Sequence, residues 1–160
     1  MSYKIIILAP STGGKSTLMR YLREHTNLSI VESDEEVMKA NNNVWPDNTL
    51  KNEKLIPKTT KRIITLPSAI YLAGYIPDEL LREAKLKGFT IVLLVISLET
   101  LVSRNKSRMK IENYDDATPW LQMQLNGFDK QKSAGLIDKT IDGEASVETL
   151  AKRITKLAET

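Results

Sequence analysis

Hydrophobic and polar residues follow two periods along this chain, and the switches between them mark its elements. Residues 3–9 (YKIIILA) form a β-branched apolar run, which predicts a strand buried on both faces. Pro10–Gly14 breaks the run. From Lys15 to His25 the period becomes helical, with Leu18, Tyr21 and Leu22 on one face. Leu28–Val31 predicts a short second strand, and Asp34–Ala40 a helical turn or short helix. Asn41–Asn48 (NNNVWPDN) reads as a loop, and Leu50–Arg62 as basic and partly helical. Pro67 precedes a third apolar run, Ala69–Leu72. Pro77 opens a helix in the favoured first-turn position, with acidic residues early, lysines late and Gly88 beyond its end. Phe89–Ser97 is a fourth strand, and Leu98–Met109 a helix leading into a charged loop to Ala117. Thr118 or Asp116 caps a helix to about Ser133, with Pro119 in its first turn. Ile137–Ile141 suits a short last strand. Ser146 caps a final helix to Ala158, with Val147, Leu150, Ile154 and Leu157 on one face. Strands alternating with helices predict an α/β fold with a parallel sheet. No repeat or linker interrupts the pattern, so residues 1–160 read as one domain.

Composition narrows the chemistry. Apolar residues make up 41% and charged residues 27%, which suits a packed globular chain and excludes a disordered one. There is no cysteine, hence no disulfide, thiolate metal site or thiol nucleophile. The one histidine, His25, excludes a multi-histidine zinc site and argues against a Ser-His-Asp triad; at a helix end it suits a charge complement to the dipole. The longest apolar run, Phe89–Leu98, falls short of the about 18 residues of a membrane span. The N-terminus lacks the pattern of a signal peptide, so the expected location is the cytoplasm. Lys and Arg number 23 against 20 acidic residues, a net +3 that says little until its distribution is considered.

The sharpest motif is Ala9-Pro-Ser-Thr-Gly-Gly-Lys-Ser16, between the first strand and the first helix. It has the spacing of a phosphate loop, with Ala9 in place of the first glycine. Gly13 and Gly14 let successive N–H groups turn inward around an anion, and the helix N-terminus adds its positive end. Ser11, Thr12, Gly13, Gly14, Lys15, Ser16 and Thr17 are the candidate nucleotide-binding residues. In such a loop Lys15 reaches the β- and γ-phosphates and the Ser16 hydroxyl joins a Mg²⁺ shell.

On this motif and its setting the chain resembles the P-loop kinases of the nucleoside and nucleotide type, the adenylate and shikimate kinase-like superfamily. The resemblance implies a three-layer fold with a central five-stranded parallel sheet flanked by helices. It implies ATP and Mg²⁺ on Gly13–Thr17 and a basic lid, here about residues 104–117, with an acceptor-binding region at about 35–66.

Glu32-Ser-Asp34-Glu-Glu36 follows the second strand, where open α/β sheets place their chemistry. Related kinases use an Asp here to take the acceptor proton or hold Mg²⁺, and Glu32 with Asp34 resembles the Asp-x-Asp pair of shikimate kinases. Asp34 is thus a candidate for catalysis and for metal, alongside Ser16. The same residues also suit a helix start, with Ser33 or Asp34 as the cap. Strand three ends Tyr71-Leu-Ala-Gly-Tyr75, without the carboxylate that many P-loop proteins carry there. That leaves Asp34 or Glu32 for the metal; Asp78, after Pro77, suits a helix cap.

The acidic tip lies between the phosphate loop and two basic segments. Arg104, Lys106, Arg108 and Lys110, with Glu112, fall where the resemblance places the lid, and Arg104 and Arg108 share a helical face. Lid arginines stabilise charge on the transferred group. Asp115-Asp116 resembles the Asp-Asp of adenylate kinases, but Gln122 or Gln124 stands where their arginine would follow. Lys51, Lys54, Lys58, Lys61 and Arg62 make the second segment basic, which suits an anionic acceptor, or a solvated helix face. Trp45, Tyr71 and Tyr75 offer stacking surfaces there, although Trp45 and Trp120 suit packing better than base stacking. Asn105-Lys-Ser-Arg108 lacks the final Asp of the guanine motif, against a GTPase.

The leading expectation is an ATP-dependent phosphotransferase, with Lys15, Asp34, Arg104 and Arg108 as catalytic residues and a nucleoside, nucleotide or similar small metabolite as acceptor. Two alternatives stay open: a polynucleotide 5′-hydroxyl kinase, with single-stranded nucleic acid as partner, and a nucleotide-binding regulatory module without transfer.

Overall fold

The computed structural model of the chain describes residues 2–111 and 116–160. Five strands form one all-parallel sheet: β1 (Lys4–Leu8), β2 (Ile30–Glu32), β3 (Ala69–Ala73), β4 (Thr90–Val95) and β5 (Lys139–Asp142). Their order across the sheet is β2-β3-β1-β4-β5. β1 therefore lies in the middle: the chain builds one side of it first, with β2 and β3, and then the other, with β4 and β5. A crevice opens at such a switch point, outside the carboxyl ends of the strands.

The alternation of side chains along β1 builds both cores. Ile5, Ile7 and Ala9 pack against α1 (Lys15–His25), α6 (Leu98–Ile111) and α8 (Val147–Ala158), through Leu18, Leu22, Leu101 and Ile154. Ile6 and Leu8 face the other layer, with Ile63 of α4 (Ile56–Ile63), Leu81 of α5 (Asp78–Leu86) and Phe128 of α7 (Thr118–Ser133). The continuous apolar strand signal thus reflects burial on two faces, and the α/β three-layer expectation holds.

Several local expectations shift. Pro77 caps α5 from outside, extended at ψ 146°, and is not a first-turn residue. Asp78 is already helical and accepts from Gln131 Nε2 at 2.9 Å, so it does not cap. Thr118 is the first residue of α7, and Asp116 Oδ1 takes its N–H at 2.9 Å. The cap of α2 (Ser33–Ala40) is Glu32, one residue before the expected Ser33 or Asp34. The basic segment is more helical than its pattern suggested: α3 (Asn48–Leu50), capped by Asp47, runs through a π-helical turn at Lys51–Leu55 into α4. His25 ends α1 stacked on Tyr21, with ring centroids 3.9 Å apart. Among the described residues no helix is long and apolar enough to cross a membrane.

Candidate active site

The loop after β1 turns tightly on itself. Gly13 donates its N–H to the Pro10 carbonyl at 2.9 Å, and a Cβ on Gly13 would sit 2.7 Å from that oxygen. No side chain fits there without moving the loop. Thr12 stands at φ 60°, in the left-handed region that a β-branched residue avoids, and donates its hydroxyl to the Leu101 carbonyl of α6 at 3.1 Å. Gly14, at φ 85°, is the N-cap of α1. The N–H groups of the first turn that follows have no intrahelical acceptor and point out of the helix end. They make a candidate anion cradle, with the exposed Ser16 and Thr17 beside it.

Lys15 bends back over this cradle. Its Nζ donates to the carbonyls of Ala9 at 3.1 Å and Pro10 at 3.2 Å. Burial lowers its pKa below the usual lysine value, and the charges of Asp34 and Glu32 only partly oppose that. Gly74, just past β3, is open for the same reason: a Cβ there would lie 3.4 Å from Lys15 Nζ. The fragment Ala73-Gly74, which carries no carboxylate, thus lies in contact range of the lysine.

The acidic tip is sorted by partner. Glu35 makes a two-point ion pair with Arg23 of α1, at 2.8 and 3.1 Å, which holds its carboxyl below the usual range. Glu36 binds Arg62 of α4 at 2.8 Å. Both tie α2 in place and are occupied. Asp34 faces Lys51 Nζ at 3.8 Å, with its side chain 44% exposed. Glu32 is different: at 2% exposure its Oε2 caps α2 by accepting from the Glu35 N–H at 2.9 Å, while its Oε1 is buried with no hydrogen-bond partner. Burial first, and then the Asp34 charge, pushes the Glu32 carboxyl above the usual range. A buried carboxylate oxygen without a donor is costly, and an ordered water or a bound ligand would satisfy it.

The basic segments divide likewise. On α6, Arg104 and Arg108 are half-buried on the site side, whereas Lys106 and Lys110 are exposed. Arg104 lies against the loop, 4.0 Å from where a Cβ on Gly14 would be, and the charge of Arg108 acts on Lys15. Glu112 and Asp115 of the expected lid lie outside the described residues. In the expected acceptor region Lys54, Lys58, Lys61 and Arg62 are exposed. Lys51 alone turns inward, to Asp34 and over the Trp45 ring at 4.8 Å from its centroid. Trp45 is 50% exposed, Tyr75 and Trp120 are exposed as well, and Tyr71 is buried, its hydroxyl paired with Thr60. Trp45 and Trp120 are therefore not core packing residues.

Two features escape sequence reading. Ser11 presents its N–H to Gln124 Oε1 at 2.9 Å and receives Gln124 Nε2 on its hydroxyl at 3.0 Å. Asn105, buried in α6, bonds Asp116 Oδ1, Thr118 Oγ1 and the Ala117 N–H, which joins α6 to the start of α7.

The chain is similar over nearly its full length to solved kinases. A shikimate kinase from Acinetobacter baumannii in complex with shikimate superposes with a TM-score of 0.72, at 17% identity, over 98% of this chain and 93% of that one. A shikimate kinase from Aquifex aeolicus gives 0.69 at 23% identity, over 98% and 96%. A gluconokinase from Sinorhizobium meliloti 1021 gives 0.66 at 15% identity, over 99% and 94%. No family model matches the chain, and no curated protein matches it in sequence. The likeness establishes the P-loop kinase fold.

Proposed function

We propose that this chain, with the fold of the shikimate kinases and gluconokinases, is a small-molecule kinase that moves the γ-phosphoryl group of ATP to an acceptor hydroxyl. The observation that carries the reading is the unpartnered, buried Oε1 of Glu32 beside a phosphate loop whose lysine rests on carbonyls. A structural cap would need only one carboxylate oxygen; the second has a use if a ligand supplies its donor.

In this reading the Gly14–Thr17 N–H groups and Lys15 hold the β- and γ-phosphates, while Ser11, Thr12 and Gly13 shape the loop. Ser16 and Glu32 suit a hydrated Mg²⁺, which takes one or two protein ligands and keeps its waters. When bound, that ion neutralises charge on the phosphate oxygens. Glu32 thus takes the place of the carboxylate missing from β3, and Asp34 is left for the acceptor. Its carboxylate takes the hydroxyl proton as the acceptor oxygen bonds to Pγ and the Pγ–O bond to the β-phosphate breaks, releasing ADP. Arg104 and Arg108 offset charge on the transferred group.

The acceptor lies on the Asp34 side, between Trp45 and Lys51. An inward ammonium there suits an acceptor with its own anionic group, and kinases of shikimate and of gluconate among the similar folds favour a polyhydroxylated acid over a nucleoside. Labelled ATP offered with hydroxy acids, sugars, nucleosides, nucleotides and 5′-hydroxyl oligonucleotides tests this. Transfer to a hydroxy acid supports it, transfer to an oligonucleotide favours the polynucleotide kinase, and ATP binding with no transfer favours a regulatory module.

A further inference from the structure

We propose that Gln124 is a positioning residue for the phosphate loop, holding it from α7 in the shape that receives nucleotide; the inference rests on the nucleotide-binding reading above. The Ser11 N–H is a donor in a loop that offers it no backbone acceptor, and Gln124 Oε1 meets it at 2.9 Å. The other end of the same carboxamide donates to Ser11 Oγ at 3.0 Å. The orientation is forced, because a flipped amide would set its NH₂ against the Ser11 N–H, donor to donor. Both polar ends of Gln124 are thereby engaged by one residue of the loop.

The loop needs such a hold. Thr12, next in sequence, is left-handed at φ 60°, a state that persists only where surroundings over-determine it. Its hydroxyl bond to Leu101 anchors it to α6, and the Gln124 pair anchors Ser11 to α7. Asn105 in turn fastens α6 to residues 116–118 at the start of α7. The loop is therefore suspended from a pair of helices that are themselves clasped, and half-buried Arg104 stands on one of them beside Gly14. Loss of the Gln124 carboxamide frees the entry of the loop, so the cost falls on nucleotide affinity, not on the acceptor side.

Gln124→Met, of similar length and without hydrogen-bonding groups, is compared with the unaltered chain. ATP binding is followed by calorimetry, and KM is measured for ATP and for the acceptor found in the screen. The expected result is about tenfold weaker ATP binding and a matching rise in KM for ATP, with the acceptor KM unchanged. Gln124→Met combined with Ser11→Ala should be less than additive, since Ser11 Oγ is one of the two partners. Equal ATP affinity in Gln124→Met and the unaltered chain overturns the inference. An unaltered chain that binds no ATP overturns instead the functional reading beneath it. Should Gln124→Met fail to fold, amide exchange in the unaltered chain decides. A Ser11 N–H protected well beyond that of Gly14 upholds the clamp, and equal, fast exchange of the two rejects it.

Discussion

Lys15 donates through Nζ to the carbonyl oxygen of Ala9, 3.1 Å away, so the side chain suited to an anion is folded onto its own loop. Phosphates would have to draw it off, replacing neutral acceptors with charged ones. Lys15→Ala should therefore weaken ATP binding about 10- to 100-fold, as loss of a charge-assisted bond does, with little change in Tm. The pKa of Lys15 is lowered by burial, and only its cation attracts phosphate. ATP affinity should consequently fall as pH rises through a point below the usual lysine value of 10.5, with proton uptake on binding in that range. Calorimetry in buffers of different ionisation heat measures both effects.

Glu32 sets stability against activity. Its carboxyl is raised by burial, so at pH well below the ordinary value of 4.5 both folded and unfolded chains hold the proton. As pH climbs from there to the raised folded value, the unfolded chain releases its proton first, and stability falls. Above that value the loss is constant. Glu32→Gln cannot ionise and still offers an oxygen to the Glu35 N–H. Its Tm relative to the parent should rise across this window, by about 2–4 °C for each 1 kcal/mol relieved. The same variant should need more Mg²⁺ for half-maximal rate. A Tm difference that does not change with pH would contradict the buried-carboxylate account.

Asp34 and Lys51 should separate in kinetics. Asp34→Asn removes the proposed base and should lower kcat by about 10²–10⁴-fold. Lys51→Ala should chiefly raise the acceptor KM, since it bears on Asp34 across 3.8 Å and on Trp45, not on the loop. Steady-state rates over acceptor concentration distinguish the two.

Gly13→Ala places a Cβ 2.7 Å from the Pro10 carbonyl, against backbone that cannot swing aside. ATP affinity should drop at least about tenfold, and the cost in stability should reach about 1–3 kcal/mol, the range for overpacking. Urea unfolding and nucleotide titration of the same sample measure the pair.

What could be read beforehand depended on how far each signal travels along the chain. The phosphate loop was legible because strand, glycines, Lys15 and helix are contiguous. The apolar runs gave four strands readily; the last shifted to Lys139–Asp142, where only Ile141 carries an apolar cue and pairing with β4 decides the ends. Glu32 and Asp34 were both visible as carboxylates, but which one is buried depends on the pairing of Glu32 with Leu72 across strands, and that register is not local. Lys51 looked like its basic neighbours, and only the fold sets it against Asp34 and Trp45. Gln124 stood out only as a substitute for an arginine, because its partner, Ser11, lies 113 residues away.

The strand order also decides when the site comes into being during folding. Ala9, Glu32 and Gly74 reach one crevice only after Lys4 pairs with Ala69 and Ile30 with Ile70, and those closures join distant parts of the chain. Long-range parallel pairing is slow, and a chain that lacks it has a phosphate loop but no facing carboxylate. On the proposed reading, nucleotide would then be a ligand of the finished sheet alone. At about 100 times its dissociation constant it would add about 2.7 kcal/mol against every opening that separates β1 from β3. In a cell, the supply of ATP would set not just the rate of this protein but its lifetime against proteolysis.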